Sequence, residues 1–129
     1  MNNSETRYTK THEWVRKLSD NKIVCGVSKF ASEQLGDIVF VDLPQVGTSV
    51  EMGKTMGVVE SVKTVSDSYA PVSGKVVARN DELEGDPALA NQDPMGKGWL
   101  VEIEMIKPAE FDELMSQAEY EEHCATAEH

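Results

Sequence analysis

The chain has 129 residues, 40% of them hydrophobic, and its 23 acidic against 12 basic side chains give a formal net charge of −11. That length suits one domain with one modest core. A surface this acidic repels nucleic acid and anionic membranes, and suits solubility and steered encounter with basic patches on partner proteins. Cys25 and Cys124 are the only cysteines and lie far apart, so neither a redox pair nor a zinc motif is expected, and a thiol-poor chain fits a reducing compartment. His12, His123 and His129 have no metal-ligand spacing. No apolar stretch approaches membrane-spanning length, and Met1 to Arg7 lacks both the apolar core of a secretory signal and the basic residues of a presequence. A cytoplasmic location is expected, with the mitochondrial matrix as the alternative for a mature organelle form.

In chain order, Tyr8 to Leu18 reads as an extended N-terminal segment, and Lys22 to Val27 as a second strand after the turn Ser19-Asp20-Asn21. A short helix follows, capped by Ser28, with Phe30, Ala31 and Leu35 facing inward and Gly36 as its stop. Ile38 to Val41 is β-rich and ends at Leu43-Pro44. Val58 to Val62 and Val65 to Tyr69 read as two strands around one tight turn, and Lys75 to Arg79 as the next strand. Asn80 to Gly98 reads as a loop with one helical turn starting at Asp86-Pro87. From Trp99, Val101, Ile103 and Met105 alternate with Glu102 and Glu104, the pattern of a strand with one buried face.

The period changes after Pro108. Phe111, Leu114, Met115 and Ala118 form an apolar stripe at helical spacing. Ser116 and Glu119 have capping-box spacing, which predicts a break and a second helix. The whole predicts a mainly β fold, a small sandwich or flattened barrel with a short internal helix and C-terminal helices. Its expected divisions are one domain over 1–129, with a flexible N-terminus (1–7), a β-sandwich core (8–106), C-terminal helices (107–124) and a frayed tail (125–129). Trp14, Trp99 and Cys25 are expected in the core.

The most informative stretch is Gly57-Val58-Val59-Glu60-Ser61-Val62-Lys63-Thr64-Val65-Ser66-Asp67, where one lysine stands between two β-rich runs. Such a lysine sits at a hairpin tip, rigid in backbone and open in side chain, which is what a swinging-arm carrier needs. Read alone, a lysine in a turn is usually just a solvated charge.

The flanks decide between these. Val46 to Gly53 resembles the lead-in of lipoyl and biotinyl domains, and Ala70 to Val76 their return segment. Val62 and Thr64 stand where biotin carriers have methionines, which favours lipoate. His12-Glu13-Trp14-Val15, Leu35 to Pro44, Glu60-Ser61-Val62-Lys63, Tyr69 to Gly74, Asn80, Pro87, Asn91 and Gly98-Trp99-Leu100 together resemble the glycine cleavage H proteins, from about Tyr8 to Tyr120. Cys25, Phe30 and Met95 depart from the family pattern, none of them within the attachment motif.

The resemblance implies a lipoyl/biotinyl-type β-sandwich (barrel-sandwich hybrid) and a monomeric, non-catalytic carrier with lipoate amide-linked to Lys63. Its implied partners are a lipoylating enzyme, the P protein (a pyridoxal-phosphate glycine decarboxylase), the T protein (an aminomethyltransferase) and the L protein (dihydrolipoyl dehydrogenase). The arm would carry an aminomethyl group from P to T and be reoxidised by L. Glu60, Ser61 and Val62 form the motif flank, with Glu60 a recognition candidate for the lipoylating enzyme. Glu13 either lines a cleft for the loaded arm or is an ordinary strand-end charge.

The alternatives are a lipoate relay to other enzymes, a biotin carrier, and a lipoyl domain of a 2-oxo acid dehydrogenase. Against the last, Val62 fills a place usually acidic. No paired nucleophile and base and no phosphate loop suggest an enzyme.

Overall fold

The computed structural model describes residues 6–127. Its strands are β1 (Thr6–Tyr8), β2 (Glu13–Ser19), β3 (Lys22–Val27), β4 (Ile38–Asp42), β5 (Ser49–Val50), β6 (Thr55–Ser61), β7 (Val65–Tyr69), β8 (Gly74–Arg79) and β9 (Val101–Met105). Its helices are α1 (Lys29–Leu35), α2 (Glu82–Gly85), α3 (Leu89–Gln92), α4 (Ala109–Asp112) and α5 (Gln117–Ala127). The fold is the mainly β sandwich expected. A six-stranded sheet, ordered β1-β2-β3-β9-β8-β5, faces a three-stranded sheet, ordered β4-β6-β7.

The sequence alternation explains the layering. Ile23, Cys25, Val76, Val101 and Ile103 of the large sheet meet Ile38, Val41 and Val59 of the small one in the main core. Fully burying each such side chain contributes about 1.5–3 kcal/mol. Cys25 is one of them, and burial pushes its thiol well up, so it is inert. β3 reads as a continuous apolar run because both of its faces are covered. Val24 points away from the main core into a second cluster with Tyr8, Trp14 and Tyr120, packed by Phe30, Met95, Trp99, Met115 and Cys124. At Gly74, a Cβ would run into the Glu104 carbonyl of the paired strand β9, so only glycine lets these backbones meet.

Several boundaries differ from the expectations. The segment Tyr8 to Leu18 is not one strand but a tight hairpin of β1 and β2, because His12 takes a left-handed φ of 73° and its N–H donates to Thr9 O at 3.1 Å. Thr6 and Arg7, expected in a flexible end, pair with Arg16 and Val15, and the Arg7 guanidinium donates to Leu114 O at 3.1 Å. The expectation for residues 1–5 lies outside the described residues.

The predicted loop after Asn80 contains two short helices, the first started by Asn80 Oδ1, which accepts from Glu82 N. Helix α5 runs through Ala127, so the tail expected to fray from 125 is helical for its described part. The break at Ser116 is as predicted. Its hydroxyl accepts from Glu119 N, and the Glu119 carboxylate accepts from Ser116 N. Ala118, however, is exposed, and the inward positions of α5 are Tyr120 and Cys124. Trp99 is half-buried and precedes β9 instead of starting it.

Tyr120 fastens α5 to the rest of the molecule. Its ring stacks on Tyr8 with centroids 4.3 Å apart, and its hydroxyl meets His12 Nδ1 at 2.7 Å and Ser28 Oγ at 2.6 Å. Ser28 also caps α1 through Ala31 N, so one hydroxyl ties three elements together. Tyr120→Phe is expected to lower the unfolding free energy by about 1–3 kcal/mol, because one buried and one half-buried polar atom lose their common partner. Urea unfolding checks this, and an unchanged midpoint would show that the hydroxyl is dispensable.

Candidate functional site: the Lys63 hairpin

β6 and β7 are paired from Thr55↔Tyr69 to Glu60↔Val65, which leaves Ser61 to Thr64 to close the hairpin. Ser61 does the closing. Its N–H donates to Thr64 O at 2.8 Å, and its hydroxyl oxygen accepts from Lys63 N and Thr64 N, both at 3.1 Å. Ser61 is buried while Val62, Lys63 and Thr64 are exposed. A small hydroxyl residue is needed because it mimics a backbone acceptor inside the turn. Val62 N donates to Asp37 O at 3.0 Å, which roots the tip in the α1–β4 connection.

That connection is held in turn by Asn91 of α3. Its Oδ1 accepts from Ile38 N at 2.7 Å, and its Nδ2 donates to Gly36 O at 2.8 Å. Gly36 has φ 77° and lies along the Lys63 stem, so an added Cβ would stand 3.5 Å from Lys63 Cε. Sequence reasoning read Gly36 only as a helix stop and Asn91 only as part of a pattern. No local signal links either residue to the lysine, since both act across the fold.

Of the flanking residues, Ser61 and Val62 thus meet Lys63 through the turn backbone. Glu60 lies one residue before the turn, half-buried, directly between Phe40 of β4 and Val65 of β7. Glu13 is not an ordinary strand-end charge. It is only 4% exposed. It accepts from the hydroxyls of Thr9 and Thr11, and from Tyr69 N at 3.1 Å. Burial raises its pKa above the ordinary 4.5, against the opposing pull of those hydrogen bonds.

Glu13 lines a small cleft of about 30 Å³ between α1 and the hairpin, with Thr11, Leu35, Asp67 and Ser68 among its walls. The Ser68 hydroxyl is buried there without a hydrogen-bond partner among the described residues. Phe30, which departs from the family pattern, does not line it and packs instead in the second cluster under α5. Among the described residues there is no group of three or more acidic, histidine or cysteine side chains placed to hold a metal. Among the same residues no helix is long and apolar enough to cross a membrane.

Known proteins resemble this chain over most of its length. Residues 6–127 match the profile of the family described as Glycine cleavage H-protein. A glycine cleavage system H protein of Symbiobacterium thermophilum is 50% identical over 118 residues, 92% of this chain and 91% of that one. A probable mitochondrial glycine cleavage system H protein of Dictyostelium discoideum is 48% identical, over 92% of this chain and 81% of its own. The crystal structure of a glycine cleavage system H protein from Mycobacterium marinum superposes with a TM-score of 0.83 at 40% identity, covering 92% of this chain and 95% of that one. With the profile spanning all the described residues and relatives at half identity over nine-tenths of its length, the chain belongs to the glycine cleavage H-protein family.

Proposed function

We propose that the chain is the monomeric, non-catalytic lipoyl carrier of a glycine cleavage system, with lipoate amide-linked to Lys63. One observation carries the reading: the Lys63 backbone is pinned by Ser61, and the adjoining Val62 by Asp37, while the Lys63 side chain is exposed to solvent. The residues present suit such a group. The amine is open to a modifying enzyme, the stem has the bare backbone of Gly36 beside it, and no side chain crowds it there. When bound, the lipoyl group supplies a dithiolane that takes up and releases an aminomethyl unit, serving the P, T and L proteins in turn.

The chain's own residues supply the mounting. Ser61 and Asp37 hold the tip in one conformation, so each partner meets the arm from the same root. Glu60 presents a carboxylate beside the lysine, where a lipoylating enzyme reads it. Glu13 gives the neighbouring cleft an acceptor suited to a cationic amine, and is held in place by Thr9, Thr11 and Tyr69. The location that suits this reading is the bacterial cytoplasm or the mitochondrial matrix; one relative is bacterial and another is named as mitochondrial.

Intact mass after expression with lipoate tests the attachment. One lipoyl adduct is expected on the wild type and none on Lys63→Ala, and an adduct that survives the substitution would move the site elsewhere. Ser61→Ala is expected to slow adduct formation several-fold, since the turn loses the acceptor of two backbone donors, worth about 1 kcal/mol each. Ser61→Thr keeps the hydroxyl and should stay near the wild-type rate, and equal rates for Ala and Thr would show that the pin does not matter.

Glu13 yields a pH prediction with a definite sign. Its folded pKa lies above 4.5, so its contribution to stability is whole below pH 4.5 and is lost as pH rises through the folded value. Glu13→Gln, which cannot ionise, is therefore expected to lose less stability than the wild type between pH 4.5 and neutrality. Parallel denaturation curves across that range decide it, and identical slopes for both proteins would refute the assignment.

A further inference from the structure

Seven large hydrophobic side chains are left exposed among the described residues, and four of them gather around Lys63: Val39 (49% exposed), Phe40 (51%), Val62 (67%) and Val65 (59%). The strand register shows why. Val41, Val59 and Ser66 form one cross-strand row whose two valines are buried in the main core. The adjoining rows, Phe40-Glu60-Val65 and Asp42-Val58-Asp67, therefore share the opposite face of the small sheet. Neighbouring strands are about 5 Å apart, so Phe40 and Val65 flank Glu60 within about 10 Å of each other. A gathered apolar patch on an otherwise charged surface marks an interaction site.

The charges around the patch have one sign. Asp42, Glu60 and Asp67 lie on this face and Asp37 beside it, and Lys63 is the only basic residue on β4, β6, β7 or the tip between them. A partner surface that fits is apolar at its centre and fringed with lysine and arginine.

We propose that this face is the docking surface of the enzyme that acylates Lys63, with the apolar patch seated beside the mouth of that enzyme's active site. This rests on Lys63 being the attachment residue. The acylating enzyme is singled out by reach. Its target is the amine itself, one side chain away from the sheet, so its surface must touch the face around the hairpin. An enzyme acting on the far end of a finished arm works at a greater distance. In the step served, the amine nitrogen bonds to the carbonyl carbon of an activated lipoyl donor, a thioester or a mixed phosphoric anhydride. The bond from that carbon to sulfur or oxygen breaks, the thiol or phosphate ester leaves, and the nitrogen gives its proton to solvent.

The test pairs lipoylation kinetics of the unmodified chain with direct titration of its binding to the purified lipoylating enzyme. Phe40→Ser combined with Val65→Ser is expected to raise both KM and Kd about tenfold or more and leave kcat within about twofold. Leu18→Ser and Ile106→Ser remove comparably exposed side chains elsewhere and should stay within about twofold of wild type. Raising salt from about 50 to about 500 mM should weaken wild-type binding, and weaken it less in Asp42→Asn combined with Glu60→Gln.

Circular dichroism establishes that each variant is folded. Wild-type KM and Kd in the folded double serine variant, or an equal rise in the two controls, would overturn the proposal. So would a wild-type dimer that the double variant splits in sedimentation while enzyme affinity holds, since the face would then bind a second copy. A wild type that never gains an adduct on Lys63 defeats the attachment reading itself. One modified on Lys63 at the double variant's rate defeats the docking surface alone.

Discussion

The hydrogen bond from Val62 N to Asp37 O joins two parts of the chain that are 25 residues apart and gives the hairpin tip its root. A two-stranded hairpin alone is marginal in water and would let its end wander. Here the tip is clamped from inside by Ser61 and from outside by the α1–β4 connection, which Asn91 fixes through Gly36 and Ile38. Every clamp acts on backbone groups. The Lys63 side chain is left without a structural task, so modifying it removes nothing the fold relies on. An arm with a wide swing needs a root without one, and main-chain hydrogen bonds supply that without occupying the lysine.

The two sheets divide the labour. The large sheet is covered on one face by the main core and, around β1 to β3, on the other by α5 and its aromatic cluster. It is the anchor, and Tyr120 locks its cover in place. The small sheet is covered on one face only. Its free face carries Phe40 and Val65, and its hairpin carries Lys63. Burial is thus concentrated away from the free face of the small sheet, whose side chains are not fixed by packing.

What could be read from the chain follows from the range of the interactions. Ser28 capping α1, the Ser116–Glu119 box and the Lys63 turn are all formed within four residues, and each is visible in local chemistry. The β1–β2 hairpin escaped because its turn relies on a left-handed histidine, a conformation that residue type does not announce. The parts played by Asn91 and Gly36 escaped because their partners lie tens of residues away. Phe40 illustrates a subtler limit. Ile38-Val39-Phe40-Val41 reads as an evenly apolar strand, yet a register shift between Ile38 and Phe40 turns Phe40 to the free face and leaves Ile38 and Val41 buried. Only the pairing with β6 decides which residues serve the core and which face outward.

Glu13 shows how the same fold keeps a costly group. A carboxylate buried this deeply is tolerated because three donors meet it, two hydroxyls from the β1–β2 turn and the Tyr69 N–H from the end of β7. Those contacts tie the N-terminal hairpin to the strand that leaves the lysine turn, so the group joins two elements as well as lining the cleft. A hydrocarbon side chain there would leave the Tyr69 N–H without its acceptor at the point where the sheets approach. The residue therefore has a structural reason to be polar, and its carboxylate shares that cleft with the Ser68 hydroxyl, which has no hydrogen-bond partner among the described residues. These contacts explain why an acid is tolerated at the head of a buried strand, where an unpaired one would be costly.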